Sequence, residues 1–98
     1  MEFKFNANAR EERIKNEVEF QLKKIQENLS KGLRDTELYV DREIASDVRE
    51  GIENELKGKN FDFCIVNRGF NQYTGKPQSY SSMTVGDQKY YKIRYYGE

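Results

Sequence analysis

The chain has no histidine and no tryptophan, one cysteine and one proline. Without histidine it lacks the commonest general base near neutral pH and the commonest metal ligand. A Ser-His-Asp or Cys-His nucleophile is therefore excluded. With one cysteine and no histidine, a zinc site would need carboxylates alone, which is rare. One cysteine also excludes an intrachain disulfide, and a lone thiol in an apolar strand reads as a small core residue. No apolar run approaches the ~20 residues that a membrane-crossing helix needs. Met1 to Phe5 is followed by polar residues and does not read as a signal peptide. There is no excess charge of either sign: 17 basic residues balance 17 acidic ones. That balance argues against a general nucleic-acid or membrane-surface binder. The expected setting is reducing and cytoplasmic, with no cofactor and no catalysis.

What is present is enough for one modest core. The 98 residues allow a single domain, 1–98. Apolar residues make up 36% and charged residues 35%, so much of the core volume must come from the 7 Tyr and 6 Phe. Nine of these 13 rings lie in residues 61–98. The charge is also uneven: residues 1–60 carry 12 basic and 14 acidic side chains, residues 61–98 carry 5 and 3.

Residues 1–7 read as an arm or a short strand, with Phe3 and Phe5 alternating with Glu2 and Lys4. Asn8 followed by Glu11 resembles a capping box. Ile14, Val18, Leu22, Ile25 and Leu29 then fall within about 80° of arc on a helical wheel, which predicts a helix over 9–31. Gly32 supplies the stop. Thr36 to Val40 predicts a short strand with Leu38 and Val40 on one face and Tyr39 on the other. Asp41 is the expected cap of a second helix, whose stripe is Ile44, Ala45, Val48, Ile52 and Leu56. Gly51 beside that stripe is either drift or the mark of a neighbouring backbone in close approach; relative to Ala it costs about 1 kcal/mol. Gly58 ends the helix.

Phe61 to Val66 is the clearest strand, with Phe61, Phe63 and Ile65 on one face. Residues 67–79, polar and containing Gly69, Gly75 and Pro77, read as a long loop. Tyr80 to Val85 and Gln88 to Tyr96 flank Gly86-Asp87, a two-residue hairpin signal. That turn pairs Val85 with Gln88, Met83 with Tyr90, Ser82 with Tyr91 and Tyr80 with Ile93. Ile93 should be buried and Lys92 and Arg94 should not, so Lys89, Tyr91, Ile93 and Tyr95 should face the helices. Gln88, Tyr90, Lys92, Arg94 and Tyr96 then form a reverse face. The expected architecture is α+β, two amphipathic helices packed on one face of a mostly antiparallel sheet, in the order α-β-α-β-β-β.

Three features could engage a partner. Phe20 lies near 240° from Ile14, almost opposite the apolar stripe. Either Phe3 and Phe5 fold over it, or it is a point of self-association in a homo-oligomer. The reverse sheet face sets Tyr90 and Tyr96 beside Lys92 and Arg94. Rings beside cations can stack bases and contact phosphates; alternatively, such cations guard a strand against edge-to-edge association. In the 67–79 loop, Phe70 and Tyr73 accompany Arg68 and Lys76. They are either contact residues or rings packed locally at a hairpin tip. Gly69 to Lys76 is not a phosphate-binding loop: five residues separate its glycines where that motif has four, and Pro77 stands where Ser or Thr would hold magnesium.

Taken as a layout, Ile14 to Gly32, Leu38 to Val40, Ile44 to Leu56, Phe61 to Val66 and Tyr91 to Tyr95 resemble a type of short α+β accessory protein often encoded by bacteriophages. The resemblance covers most of the chain. It implies no catalytic residue, no metal and no cofactor, and it includes factors that block host defences. The function expected is non-enzymatic binding, most of all to a host protein, through Phe70, Tyr73, Tyr90, Lys92, Arg94 and Tyr96. The alternatives are a nucleotide or single-stranded RNA binder using the same face, and a virion or assembly component.

Overall fold

The computed structural model describes residues 1–63, 66–70, 77–80 and 82–97, with 66–70, 77–80 and 82–85 described by their backbone alone. Helix α1 is Ala7–Ser30, strand β1 Asp35–Asp41 and helix α2 Ala45–Leu56. Strands β2 to β6 are Phe61–Phe63, Val66–Phe70, Pro77–Tyr80, Ser82–Val85 and Gln88–Tyr95. The protein is α+β. Its helices cover one face of an antiparallel sheet, and a separate two-stranded unit lies between β2 and β5 in the chain.

The first helix begins two residues earlier than the capping-box pattern suggests. Asn6, in extended conformation, accepts a hydrogen bond from the Ala9 N–H at 3.0 Å. Asn8 therefore lies inside the first turn, where its side chain cannot cap. At the other end Gly32 adopts φ +80°, which a residue with a Cβ resists. Residues 1–6 have no regular structure, and Phe3, Phe5 and Phe20 are all exposed. The arm is not a strand, and it does not cover Phe20.

Asp41 ends β1 and does not cap α2. Its Oδ1 accepts from the Glu43 N–H at 3.0 Å and its carbonyl from the Ile44 N–H at 3.1 Å, which closes a tight turn. Ile44 takes the cap position with no side-chain cap bond and is buried. Core burial at that position replaces a polar cap.

The sheet is organised around β6. β1 pairs along one edge of it, from Asp35 opposite Arg94 to Asp41 opposite Gln88. β2 and β5 share the other edge end to end: Phe61 to Phe63 face Tyr95 to Ile93, and Ser82 to Val85 face Tyr91 to Gln88. The hairpin register at Gly86-Asp87 is as the sequence predicts. The pairing of Tyr80 with Ile93 is not. Ile93 is taken by Thr36 on one side and Phe63 on the other, and Tyr80 instead pairs with Val66.

Much of the segment read as the 67–79 loop is strand. β3 and β4 pair antiparallel, with a register shift between Asn67 and Phe70. Phe61 to Val66 is divided between two sheets: Phe61–Phe63 is β2 and Val66 opens β3, while Cys64 and Ile65 lie outside the described residues. The edge strand opposite β1 is thus a composite of β2 and β5, interrupted by an excursion of the chain.

The core draws Val18 and Ile25 from α1, Ala45, Val48 and Ile52 from α2, Leu38 and Val40 from β1, and Tyr91 and Ile93 from β6. Ile14, Leu22, Leu29, Leu56, Phe61 and Phe63 close its margins. Ile93 is 2% exposed, as period-two alternation requires. Gly51 marks a close approach, by a side chain of α1 and not by backbone: a Cβ there would lie 2.8 Å from Val18 Cγ2.

α1 also closes the open edge of β1. Lys24 Nζ donates to the Glu37 carbonyl at 2.8 Å, and the buried Gln21 Nε2 donates to the Tyr39 carbonyl at 3.3 Å and to Glu17 Oε1 at 2.7 Å. Two of the strand's outward carbonyls are thereby satisfied.

Candidate recognition face

The face of the sheet turned away from the helices is built by β1 and β6. Residues of one parity in β1 (Asp35, Glu37 and Tyr39) stand opposite Arg94, Lys92 and Tyr90. Each pair is complementary: acid to base, acid to base, ring to ring. The Tyr39 and Tyr90 rings are 5.2 Å apart at 52°. Tyr90 is only 7% exposed, whereas Tyr39 is 42% and Tyr96 60% exposed. Tyr90 is thus a platform beneath its neighbours, and the outermost rings are Tyr39 and Tyr96.

Asp35 governs the charges. Its carboxylate accepts from Arg94 Nε at 2.5 Å and Nη2 at 2.8 Å, and lies 3.5 Å from Lys92 Nζ. The hydrogen bonds from Arg94 hold the Asp35 carboxyl below its ordinary range; partial burial opposes this, and the charges of Arg94 and Lys92 reinforce it. Asp62 stands opposite Arg94 on the other side of β6, and Glu37 is exposed opposite Lys92. The two cations therefore sit among three carboxylates.

Of the residues expected to bind, the structure brings Tyr90, Lys92 and Arg94 together on this face, and Tyr96 follows at the end of β6. Phe70 belongs to the separate β3–β4 unit, where its backbone stands opposite Pro77. Tyr73 lies outside the described residues. Phe20 projects from the solvent side of α1. Sequence reasoning missed Asp35, Glu37 and Tyr39. The signal was present: Asp-x-Glu-x-Tyr from residue 35 is the antiparallel complement of Tyr-x-Lys-x-Arg from residue 90. It becomes readable once β1 is known to pair with β6.

On the opposite, helix-bearing side, Arg49 lies over the Phe63 ring at 4.5 Å and near Tyr91 at 5.4 Å, and is also bonded to Glu53 at 2.8 Å. Burial raises the Tyr91 hydroxyl above its ordinary range, against the lowering charge of Arg49 and with help from Glu53. This is a packing contact between α2 and the sheet. Among the described residues no group of three His, Cys, Asp or Glu side chains is placed to hold a metal ion, and no helix is long and apolar enough to cross a membrane. Comparison with known proteins finds no matching family model, no similar curated protein and no similar solved structure.

Proposed function

We propose that this chain is a non-enzymatic, phage-type accessory protein that acts in the cytoplasm of a bacterial host by binding a host protein through the Tyr39, Tyr90, Tyr96, Lys92, Arg94 face. One observation carries the choice of partner class: Asp35 pairs with both cations of the face, and Glu37 and Asp62 stand opposite them. A phosphate-binding surface needs uncompensated positive charge. A protein interface instead favours tyrosines among matched charges, which give register and specificity without net attraction. The phage-type reading rests on the layout of helices and strands; a role in blocking host defence is one activity such a protein would have.

The test is affinity capture from bacterial lysate with three baits. A variant combining Tyr39→Ser, Lys92→Glu and Tyr96→Ser should lose the partner that the wild type retains, while Phe20→Ser should keep it. Tyr90 is left intact because its burial makes it structural. Retention of every partner by the triple variant refutes the face. A panel of nucleotides and short RNAs tests the alternative: a ligand at 100 times its Kd would stabilise the fold by about 2.7 kcal/mol. Such a shift, lost in the triple variant, would replace the protein partner with a nucleotide.

A further inference from the structure

A hollow of about 510 Å³ lies on the helix-bearing side, where the end of α1 meets β2 and the end of β6. Leu29, Leu33, Phe61 and Tyr95 line it together with Arg34 and Lys59. Its size is that of a small-molecule site. Its charge is unlike that of the surrounding surface. Four other hollows on the described surface each place carboxylates beside their cations, as with Arg34 and Arg94 beside Asp35, or Lys24 and Lys92 beside Asp35 and Glu37. Among the described residues no carboxylate lines this one, in a chain with 17 acidic residues for 17 basic ones.

Arg10, Arg13, Lys31, Arg49, Lys92 and Arg94 each pair with a carboxylate. Arg34 and Lys59 form no ion pair among the described residues. Arg34 is nonetheless held in place: its Nη1 donates to the Tyr95 carbonyl at 3.2 Å and the Gly97 carbonyl at 2.6 Å. Neutral carbonyls fix the guanidinium without cancelling its charge, so little side-chain entropy remains to be lost on binding. Beside it the Phe61 and Tyr95 rings, 4.9 Å apart, form an apolar wall, and Leu33 stands 51% exposed at the rim.

We infer that this hollow binds a small organic carboxylate with an apolar body, the carboxylate set against Arg34 and Lys59 and the body against Leu29, Leu33, Phe61 and Tyr95. The site is separate from the recognition face, so its failure would leave the proposed function standing.

The test is a titration of ¹⁵N-labelled protein, followed by amide chemical shifts, with octanoate, 3-phenylpropionate and octylammonium. The two carboxylates should give saturable shifts centred on Leu33, Arg34, Lys59, Phe61 and Tyr95, weakening as salt is raised. Octylammonium should not. Lys59→Glu reverses a solvent-exposed charge and should weaken octanoate about ten-fold, as expected from opposing a charge at contact distance in a wet site. Leu33→Asp, also at an exposed position, should abolish saturation with the fold intact. Equal binding of octylammonium, shifts centred elsewhere, or no saturation with either carboxylate would overturn the inference.

Discussion

Replacing Gly51 by Ala sets two effects of known sign against each other. In a helix interior Ala is favoured over Gly by about 1 kcal/mol. Here the new Cβ would sit 2.8 Å from Val18 Cγ2, about 1 Å inside ordinary carbon contact. Val18 cannot readily turn aside, because a β-branched side chain in a helix has one strongly preferred rotamer. It is also held between the helices in the core. The helices would have to separate locally, and overpacking of this kind costs roughly 1–3 kcal/mol. The net expectation is destabilisation by about 1 kcal/mol, a fall in Tm of about 4–8 °C for a domain this size. Urea unfolding followed by circular dichroism measures it. The stronger test is a double-mutant cycle. Val18→Ala alone should destabilise by leaving a void. Combined with Gly51→Ala it should cost less than the sum of the two, with a coupling of at least about 1 kcal/mol, because the added methyl fills space the valine vacates. If Gly51→Ala alone stabilises the protein, or the two changes simply add, then Gly51 is ordinary drift and no close approach shapes the interface.

Three further outcomes follow from individual contacts. Asp35→Asn should cost about 1 kcal/mol near pH 7, the scale of a partly exposed bidentate pair, and leave Lys92 and Arg94 to repel one another. The Asp35 pKa is lowered from 3.8 in the folded protein, so the carboxylate's stabilisation is complete above that value and is lost as pH falls through the folded pKa; the stability gap between wild type and variant should therefore close in acid, and a gap independent of pH would contradict the ion pair. Asn6→Ala should lower helix stability by about 1 kcal/mol and Asn8→Ala by much less, measured by thermal melts, since only Asn6 satisfies an amide at the start of α1. Phe20→Ser should leave stability within about 0.5 kcal/mol of wild type, because the ring is exposed; if self-association uses Phe20, sedimentation should show the variant as monomer at concentrations where the wild type dimerises.

Both helices, their apolar stripes and the last hairpin were readable from the sequence because their signals are local. Ile14 to Leu29 repeats at helical spacing, and Gly86-Asp87 sets a register by counting outward. What was not readable was long-range. Nothing near Thr36 to Val40 states that its partner is Lys89 to Ile93, about fifty residues later. The candidate recognition face was therefore half seen: its β6 cations were identified and the Asp35 that pairs with them was not. Strand interruption was hidden for a related reason. Alternation along Phe61 to Val66 and along Tyr80 to Val85 does not reveal where the chain leaves one sheet edge for another. The caps failed more narrowly. Asn6 and Asn8 are equivalent by residue type, and only the backbone of Asn6 is extended.

The arrangement also decides how a partner could dock. Adding a strand to β1 would require Lys24 and Gln21 to release the Glu37 and Tyr39 carbonyls, and the buried Gln21 amide would then keep only its bond to Glu17. At the other edge β2 and β5 offer only three and four residues, separated by the excursion that carries β3 and β4. Among the described residues neither edge presents the long unpaired ladder that β-augmentation uses. Among the described residues nothing obstructs the sheet face at Tyr39 and Tyr96, and these tyrosines carry area that can be buried at little entropic cost. A partner that recognises this protein by its sheet should therefore depend on the side chains of Tyr39 and Tyr96. It should be indifferent to backbone N-methylation or proline placed along β2, provided the fold survives. A complex lost on blocking that edge, yet insensitive to Tyr39 and Tyr96, would reverse the assignment of the recognition surface.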